Sequence, residues 1–164
     1  MFILGIDPGL ATTGWGVVEY TKQGFWPVSF GIIKTGSKER LQDRIYTLAE
    51  DVASVAEKYK IDACSMEDIY FARNITSAVP VAKVIGALTY KLMQMEIPVS
   101  FYSPLQIKMA VTGTGTADKH QIQEMVRLHL KLDKIPKPDH AADALADCIC
   151  YISYNSGDIR LRRN

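Results

Sequence analysis

Apolar and polar residues alternate at the start of the chain, as they do in the strands of a sheet. In FILGID, at residues 2–7, successive side chains would face opposite sides of a sheet. Two more strand-like segments, at 14–20 and 25–34, follow the turn sequences PGLATTG and TKQG. The pattern predicts three strands that form an antiparallel meander.

Apolar residues recur at helical spacing further along the chain, with strand-like segments between them. A stripe from Leu41 to Tyr59 predicts a long helix that is capped by Ser37. A second stripe predicts a helix with Pro80 in its first turn. In chain order, the predicted elements after the meander are a helix at 38–59, a strand at 61–67, a helix from Thr76 or Ser77, a strand at 97–102, a short helix at 103–110, a helix from Lys119 and a last helix at about 139–154.

The order of these elements predicts an α/β fold. A meander followed by two right-handed crossovers favours a five-stranded mixed sheet in spatial order 3-2-1-4-5, with helices on both faces. Strands 1 and 4 would lie side by side and parallel, and their connections leave to opposite sides of the sheet. Ligands bind at such a switch point, at the carboxyl ends of the strands. We expect one domain at 1–157 and a basic, flexible tail at 158–164.

Composition and charge change this picture little. The 164 residues are 48% hydrophobic and 23% charged, which is ordinary for one globular domain. The formal net charge is only +1, so a role with nucleic acid would require basic residues clustered on one face. We expect no membrane-spanning segment, no signal peptide and no membrane partner. Three cysteines without zinc spacing are typical of a reducing compartment, so we expect a cytoplasmic protein.

Acidic residues end the two strands that meet at the predicted switch point. Asp7 ends strand 1 and Glu67 ends strand 4, while the last helix begins with His140 and Asp143 three residues apart on one face. Converging carboxylates repel one another unless a cation holds them. Their oxygens select hard divalent metals, with Mg²⁺ the default and Mn²⁺ compatible. Two such ions suit phosphodiester hydrolysis, because one can activate water while the other stabilises the leaving oxygen.

Structural explanations stay open for these residues when each is taken alone. Asp7 precedes Pro8 and Gly9, and an aspartate in that position could hydrogen-bond its own turn. Asp143 could be a first-turn carboxylate that stabilises the helix start. A histidine at a helix start could have no function at all, so the prediction depends on the four residues converging.

Four blocks of the sequence, taken in order, resemble the RuvC-type Holliday-junction resolvases of the ribonuclease H-like superfamily. The blocks are ILGIDPG, MEDIYFARN, PLQIKMAVTGTGTADK and DHAADALA, and the similarity runs from residue 2 to about 154. The resemblance implies a homodimeric, Mg²⁺-dependent endonuclease with a ribonuclease H-like fold and two ions in each active site. Such enzymes bind four-way DNA junctions in recombination and repair, and they nick two opposing strands symmetrically. A branch-migration motor complex is a further partner that the resemblance implies.

The resemblance also implies roles for individual residues. Catalytic, metal-binding roles carry over to Asp7, Glu67 and Asp143. Many members have aspartate where this chain has His140. An imidazole there could bind a divalent ion, especially Mn²⁺, or hydrogen-bond the attacking water.

Five more residues are candidate DNA contacts. Lys108 and Lys119 flank the VTGTGT loop and match basic positions of the family, where they would neutralise a scissile phosphate. Tyr70 and Phe71 follow the end of strand 4 and could stack on unpaired bases at a junction centre. Arg73 is a weaker candidate for a phosphate contact. Solvated lysines and aromatics that close the core are the alternative explanations.

Two other functions stay open from the sequence. A junction-binding protein that has lost its chemistry is one, because His140 departs from the common aspartate. An ATP-binding module of the ribonuclease H-like or actin-like type is the other, because DPGLATTG places glycine and threonine after an aspartate. Such modules need a second lobe to close over ATP, and the chain contains no G-x-x-x-x-G-K-[ST] loop.

Overall fold

A computed structural model describes residues 1–69 and 75–161, of which 75–77 and 157–161 are described by their backbone alone. Its elements in chain order are β1 (Phe2–Asp7), β2 (Thr12–Thr21), β3 (Gly24–Lys34), α1 (Leu41–Tyr59), β4 (Ala63–Glu67), α2 (Ile75–Gln94), β5 (Val99–Tyr102), α3 (Pro104–Thr112), α4 (Lys119–His129) and α5 (Asp139–Leu161). The strands form one sheet in the order β3-β2-β1-β4-β5. β1 is antiparallel to β2 and parallel to β4, and β5 is parallel to β4. The predicted fold class and strand order are confirmed.

Apolar side chains are buried on both faces of the sheet. Successive residues of β1 point to opposite faces, so Ile3 packs in one cluster with α5, while Leu4 and Ile6 pack in another with α1 and α2. Leu145 of α5 and Leu48 of α1 are fully buried in these two clusters. Burial of each such side chain contributes roughly 1.5–3 kcal/mol. The core therefore fixes β1 from both sides, and with it the position of the strand end.

Glycines in β1 and β2 allow the backbone of α5 to lie directly against the sheet. A Cβ at Gly5 would overlap the carbonyl oxygen of Ala144, and a Cβ at Gly14 would overlap that of His140. Gly14 is also the register partner of Asp7 in the antiparallel pair of β1 and β2. The first turn of α5 is therefore held beside the carboxyl end of β1.

The start of α1 differs from the predicted one. Ser37 was predicted to cap a helix at 38–59, but α1 begins at Leu41 and its N-cap position is Arg40, which makes no side-chain cap. Ser37 lies in a turn instead, where a side-chain oxygen of Glu39 accepts a hydrogen bond of 2.8 Å from the backbone of Gly36. The helix begins only after this local turn, so the prediction that Ser37 caps the helix is wrong.

Two other helix boundaries also differ. α2 begins at Ile75, so Pro80 lies in the second turn and not in the first. α5 continues to Leu161, although the apolar spacing predicted an end near Tyr154. Extending an existing helix adds one hydrogen bond per residue without a new nucleation step, and α5 extends into the segment at 158–164 that was predicted as a tail. Residues 162–164 lie outside the described part of the chain.

The three cysteines lie in the interior of the fold. Cys64, Cys148 and Cys150 are free thiols, and all three are buried. Burial raises the pKa of Cys64 and of Cys148 above the usual value, so these thiols are not reactive nucleophiles. Within 1–69 and 75–161, no helix combines the length and the apolar character that crossing a membrane requires.

Candidate active site

Two acidic side chains lie at neighbouring strand ends. The parallel register pairs Ile6 of β1 with Met66 of β4, so the next residue of each strand is an acid, Asp7 and Glu67. The Asp7 side chain is 17% exposed, and Glu67 is half-buried. Both acids therefore occupy the switch point that the order of elements predicted.

The first turn of α5 faces these strand ends. His140 Nδ1 lies 2.6 Å from Asp7 Oδ2, at hydrogen-bond distance. Asp7, His140 and Asp143 each offer one ligand atom, and these atoms lie within 4.8 Å of one another. Glu67 lies beside this group, because it lines one pocket with Asp7 and another with Asp143. The structure thus brings three of the four predicted metal-binding residues together and places the fourth next to them.

The carboxyl groups of this site perturb one another's ionisation. Burial raises the pKa of Glu67 to about 7, and the charges of Asp7 and Asp143 add to the rise while Lys108 opposes it. Burial and the charge of Asp7 also raise the pKa of Asp143, against the attraction of Lys119. Raised carboxyl pKa values mean that negative charge is costly here unless a cation offsets it.

One of the two predicted lysines forms ion pairs at the site. Lys119 begins α4, which Asp118 caps through a capping box. The Lys119 Nζ atom lies 3.3 Å from Asp143 Oδ2 and 3.5 Å from Asp139 Oδ2. Burial lowers the pKa of Lys119, but the two carboxylates outweigh this effect and raise it. The positively charged Lys119 side chain thus lies beside the acidic residues, where it can bind a phosphate group.

A cavity of about 90 Å³ adjoins the acidic group. Charged side chains from β4, α3 and α5 line it, and apolar residues close it. The lining residues are Glu67, Pro104, Ile107, Lys108, Ile122, Asp143, Ala146 and Asp147. The second predicted lysine, Lys108, therefore lies at the same site as the acids.

Asp147 is a residue of this cavity that the sequence analysis missed. It lies one turn after Asp143 on α5 and is only 1% exposed. Burial raises the pKa of its carboxyl group well above the usual value, and the charges of Glu67, Asp7 and Asp143 add to the rise. Helical spacing indicates only that Asp147 shares a face with Asp143, because residues four apart lie on one face of a helix. Its position beside β4 depends on the fold.

An open groove connects the acids with the second helix. It has a volume of about 370 Å³ and extends from Asp7 to Ile85 of α2. Tyr70, Phe71 and Arg73, the other predicted DNA contacts, lie outside the described residues. Their contacts with DNA stay predictions.

A mixed sheet in this strand order, with acids at the carboxyl ends of adjacent parallel strands, defines a ribonuclease H-like nuclease. A family model described as crossover junction endodeoxyribonuclease RuvC matches residues 3–151. The protein of that name from Endomicrobium trichonymphae is 42% identical over 154 residues, which are 93% of this chain and 81% of the relative. The chain belongs to the crossover junction endodeoxyribonuclease RuvC family.

Solved structures agree with this assignment. Thermus thermophilus RuvC has a TM-score of 0.89 and 30% sequence identity, over 96% of this chain and 97% of the other. T. thermophilus RuvC in complex with a Holliday junction substrate has a TM-score of 0.86 and 29% identity, over 96% of each chain. The predicted resemblance and the predicted endonuclease of four-way junctions are confirmed, and the non-cleaving and ATP-binding alternatives are not favoured.

Proposed function

We propose that the chain resolves four-way DNA junctions with divalent metal ions held by Asp7, Glu67, His140 and Asp143. The observation that carries this proposal is the convergence of Asp7, His140 and Asp143, whose ligand atoms lie within 4.8 Å of one another. The substrate class follows from family membership and from the T. thermophilus relative described with a Holliday junction.

The donor set fits a hard divalent ion. Carboxylate oxygens are the ligands that Mg²⁺ prefers, and one imidazole nitrogen keeps Mn²⁺ compatible. Burial, and after it mutual repulsion, raises the pKa values of Glu67 and Asp143, and a bound cation would offset both effects. We propose Mg²⁺ as the natural ion, with two ions in each site. Bound there, such ions would activate water and stabilise the charge that develops on the leaving oxygen.

The other charges of the site prepare it for a phosphodiester. Three carboxylates would repel a phosphate, so cations of the protein must offset them. Lys119 is 56% exposed and lies 3.3 Å from Asp143, which leaves it free to turn toward a phosphate oxygen. Lys108 adds a second positive charge from the cavity. Together the lysines would bind the scissile phosphate and neutralise it.

His140 lies at the exposed side of the acidic site. Its hydrogen bond to Asp7 fixes the ring, and its side chain is 49% exposed. The second ring nitrogen is then available to a metal ion or to the attacking water.

The assembly and the location of the protein are part of the same proposal. We expect a homodimer, because symmetric cuts in a two-fold junction suit a two-fold protein. Val79, which is 44% exposed on α2, offers an apolar contact for such a dimer. A branch-migration motor complex as a partner and a cytoplasmic location stay predictions, and the three buried free thiols are consistent with a reducing compartment.

A synthetic four-way junction, incubated with the protein and Mg²⁺ or Mn²⁺, tests this function. We expect paired nicks in opposing strands and no cutting in the presence of a chelator. Asp7→Asn should abolish cutting and leave junction binding largely intact, because an amide is a poor ligand for the ion but keeps the shape of the side chain. The matched control is Asp51→Asn on the exposed face of α1, which should cut normally.

Two results would contradict the proposal. Absence of cutting by the unaltered protein with either ion would indicate a junction-binding protein that does not cleave. Loss of junction binding by Asp7→Asn, in parallel with its loss of cutting, would make Asp7 a structural residue.

A further inference from the structure

Asp147 carries an oxygen that the fold leaves unpaired. The residue is 1% exposed, and its Oδ1 atom has no hydrogen-bond partner among the described residues. Its neighbours on α5, Ala144, Ala146 and Cys148, are small and buried. Unpaired buried carboxyl oxygens are destabilising, and an apolar side chain would avoid this cost. An ordinary core position does not explain the aspartate.

The backbone of Asp147 is held against β4, next to the strand end that carries Glu67. Ser65 Oγ donates a hydrogen bond of 2.7 Å to the carbonyl oxygen of Asp147. Residues two apart in a strand point to the same face, so the side chains of Ser65 and Glu67 both face α5. Asp147 therefore lies on the side of the sheet toward which Glu67 points, and both residues line the same cavity.

The cavity is large enough for ordered water. Its volume is about 90 Å³, and a single water molecule needs about 10–15 Å³ by this measure. A buried water also needs two to four polar partners, roughly three on average. The side chains of Glu67, Lys108, Asp143 and Asp147 supply them. A water there can donate one hydrogen to Asp147 Oδ1 and the other to a carboxylate oxygen of Glu67.

We propose that Asp147 is a positioning residue that holds the Glu67 carboxylate toward the divalent ion through water bound in their shared cavity. This inference rests on the proposed function, because it assumes that Glu67 is a metal ligand. A ligand carboxylate binds most tightly when its remaining oxygen is hydrogen-bonded, and loss of such a partner typically lowers metal affinity about 10–100-fold.

The electrostatics of the site agree with this role. Burial and the nearby acids raise the pKa of Asp147 well above its usual value, which favours the uncharged form of its carboxyl group. An uncharged carboxyl group keeps a hydrogen-bond acceptor and avoids further repulsion of Glu67. Asparagine has the same shape, the same acceptor and no charge, and is therefore the conservative replacement.

The test compares Asp147→Asn with Asp147→Leu in the full chain. Mn²⁺ affinity is measured by calorimetry and by the paramagnetic resonance of free Mn²⁺, and fold stability by thermal unfolding. We expect Asp147→Leu to bind Mn²⁺ about tenfold more weakly or worse, with an unchanged or higher thermal midpoint, because leucine fills the cavity and excludes water. Asp147→Asn should stay within about threefold of the unaltered protein. In junction cleavage, the leucine variant should lose kcat at low Mn²⁺, with little change in KM for DNA.

Several results would overturn the inference. Normal Mn²⁺ affinity in Asp147→Leu would leave Asp147 without a positioning role. Equal losses in the asparagine and leucine variants would mean that Asp147 acts through its charge, as a direct ligand. If the leucine variant does not fold, Asp147→Val takes its place, with the same expected results for Mn²⁺ affinity and thermal midpoint. Failure of the unaltered protein to bind Mn²⁺ would contradict the proposed function itself, and so the two failures are distinguishable.

Discussion

Replacement of Gly14 by alanine should disturb the contact that positions the first turn of α5. Gly14 is the register partner of Asp7. A Cβ at this position would overlap the carbonyl oxygen of His140 and would lie 3.0 Å from the Cβ of His140. The obstacle is backbone and not the end of a flexible side chain, so the start of α5 must move by on the order of 1 Å.

The magnitude of the effect follows from this displacement. Overpacking in a close-packed interior typically costs about 1–3 kcal/mol of unfolding free energy, which lowers the thermal midpoint of a chain of this size by roughly 2–12 °C. His140 and Asp143 would move together, away from Asp7. A misplacement of about 1 Å at a reacting centre costs roughly 10²-fold in rate. Gly14→Ala should therefore reduce junction cleavage about a hundredfold, well beyond what its loss of stability explains at 25 °C.

The assay measures thermal unfolding and single-turnover cleavage of a synthetic junction, with Gly86→Ala as the matched control. Gly86 lies inside α2, and nothing lies within 4 Å of the place where its Cβ would be. The control should gain about 0.5–1 kcal/mol, because alanine is the better helix former, and should cleave normally. Cleavage and stability at the level of the unaltered protein in Gly14→Ala would refute the idea that contact with β2 positions His140.

Two other predictions concern the charges of the site. Because Glu67 has a pKa of about 7 in the folded chain against an ordinary value of 4.5, the folded state binds this proton more tightly than the unfolded state does. The resulting stability is fully present below about pH 4.5 and is lost as the pH rises through about 7. In Glu67→Gln, the midpoint of thermal unfolding, measured in the presence of a chelator, should no longer show this pH dependence. An unchanged pH profile in this variant would contradict the raised pKa of Glu67. Lys119→Met should slow junction cleavage about tenfold or more and yet raise Mn²⁺ affinity, because Lys119 competes with the ion for Asp143; reduced Mn²⁺ affinity in this variant would contradict that competition.

The sequence was sufficient for the sheet and for most of the acidic group. Chain order and the handedness of crossovers leave few ways to arrange a meander and two helical connections, which brings Asp7 and Glu67 to adjacent strand ends. The start of α5 was recognisable because His140 and Asp143 lie three residues apart, a spacing that keeps them on one face of a helix. Local patterns and general topology rules decide these features.

Tertiary contacts, and in one case a competing local turn, decide what the sequence left open. The ion pair of Lys119 with Asp143 joins residues 24 positions apart, and no local pattern encodes it. Nothing in the sequence distinguishes Asp147 from other polar residues of a helix, and only the fold buries it against β4. Ser37 failed as a cap because the side chain of Glu39 closes a competing turn. The first two outcomes depend on contacts between distant parts of the chain, and the third depends on which of two local structures forms.

The most direct measurement of the central claim is anomalous diffraction at the manganese edge from crystals of the protein grown with Mn²⁺. The account predicts anomalous density bounded by the side chains of Asp7, Glu67, His140 and Asp143, and no such density in crystals of Asp7→Asn. Density confined to other carboxylates of the surface, or none at the meeting point of β1, β4 and α5, would contradict it.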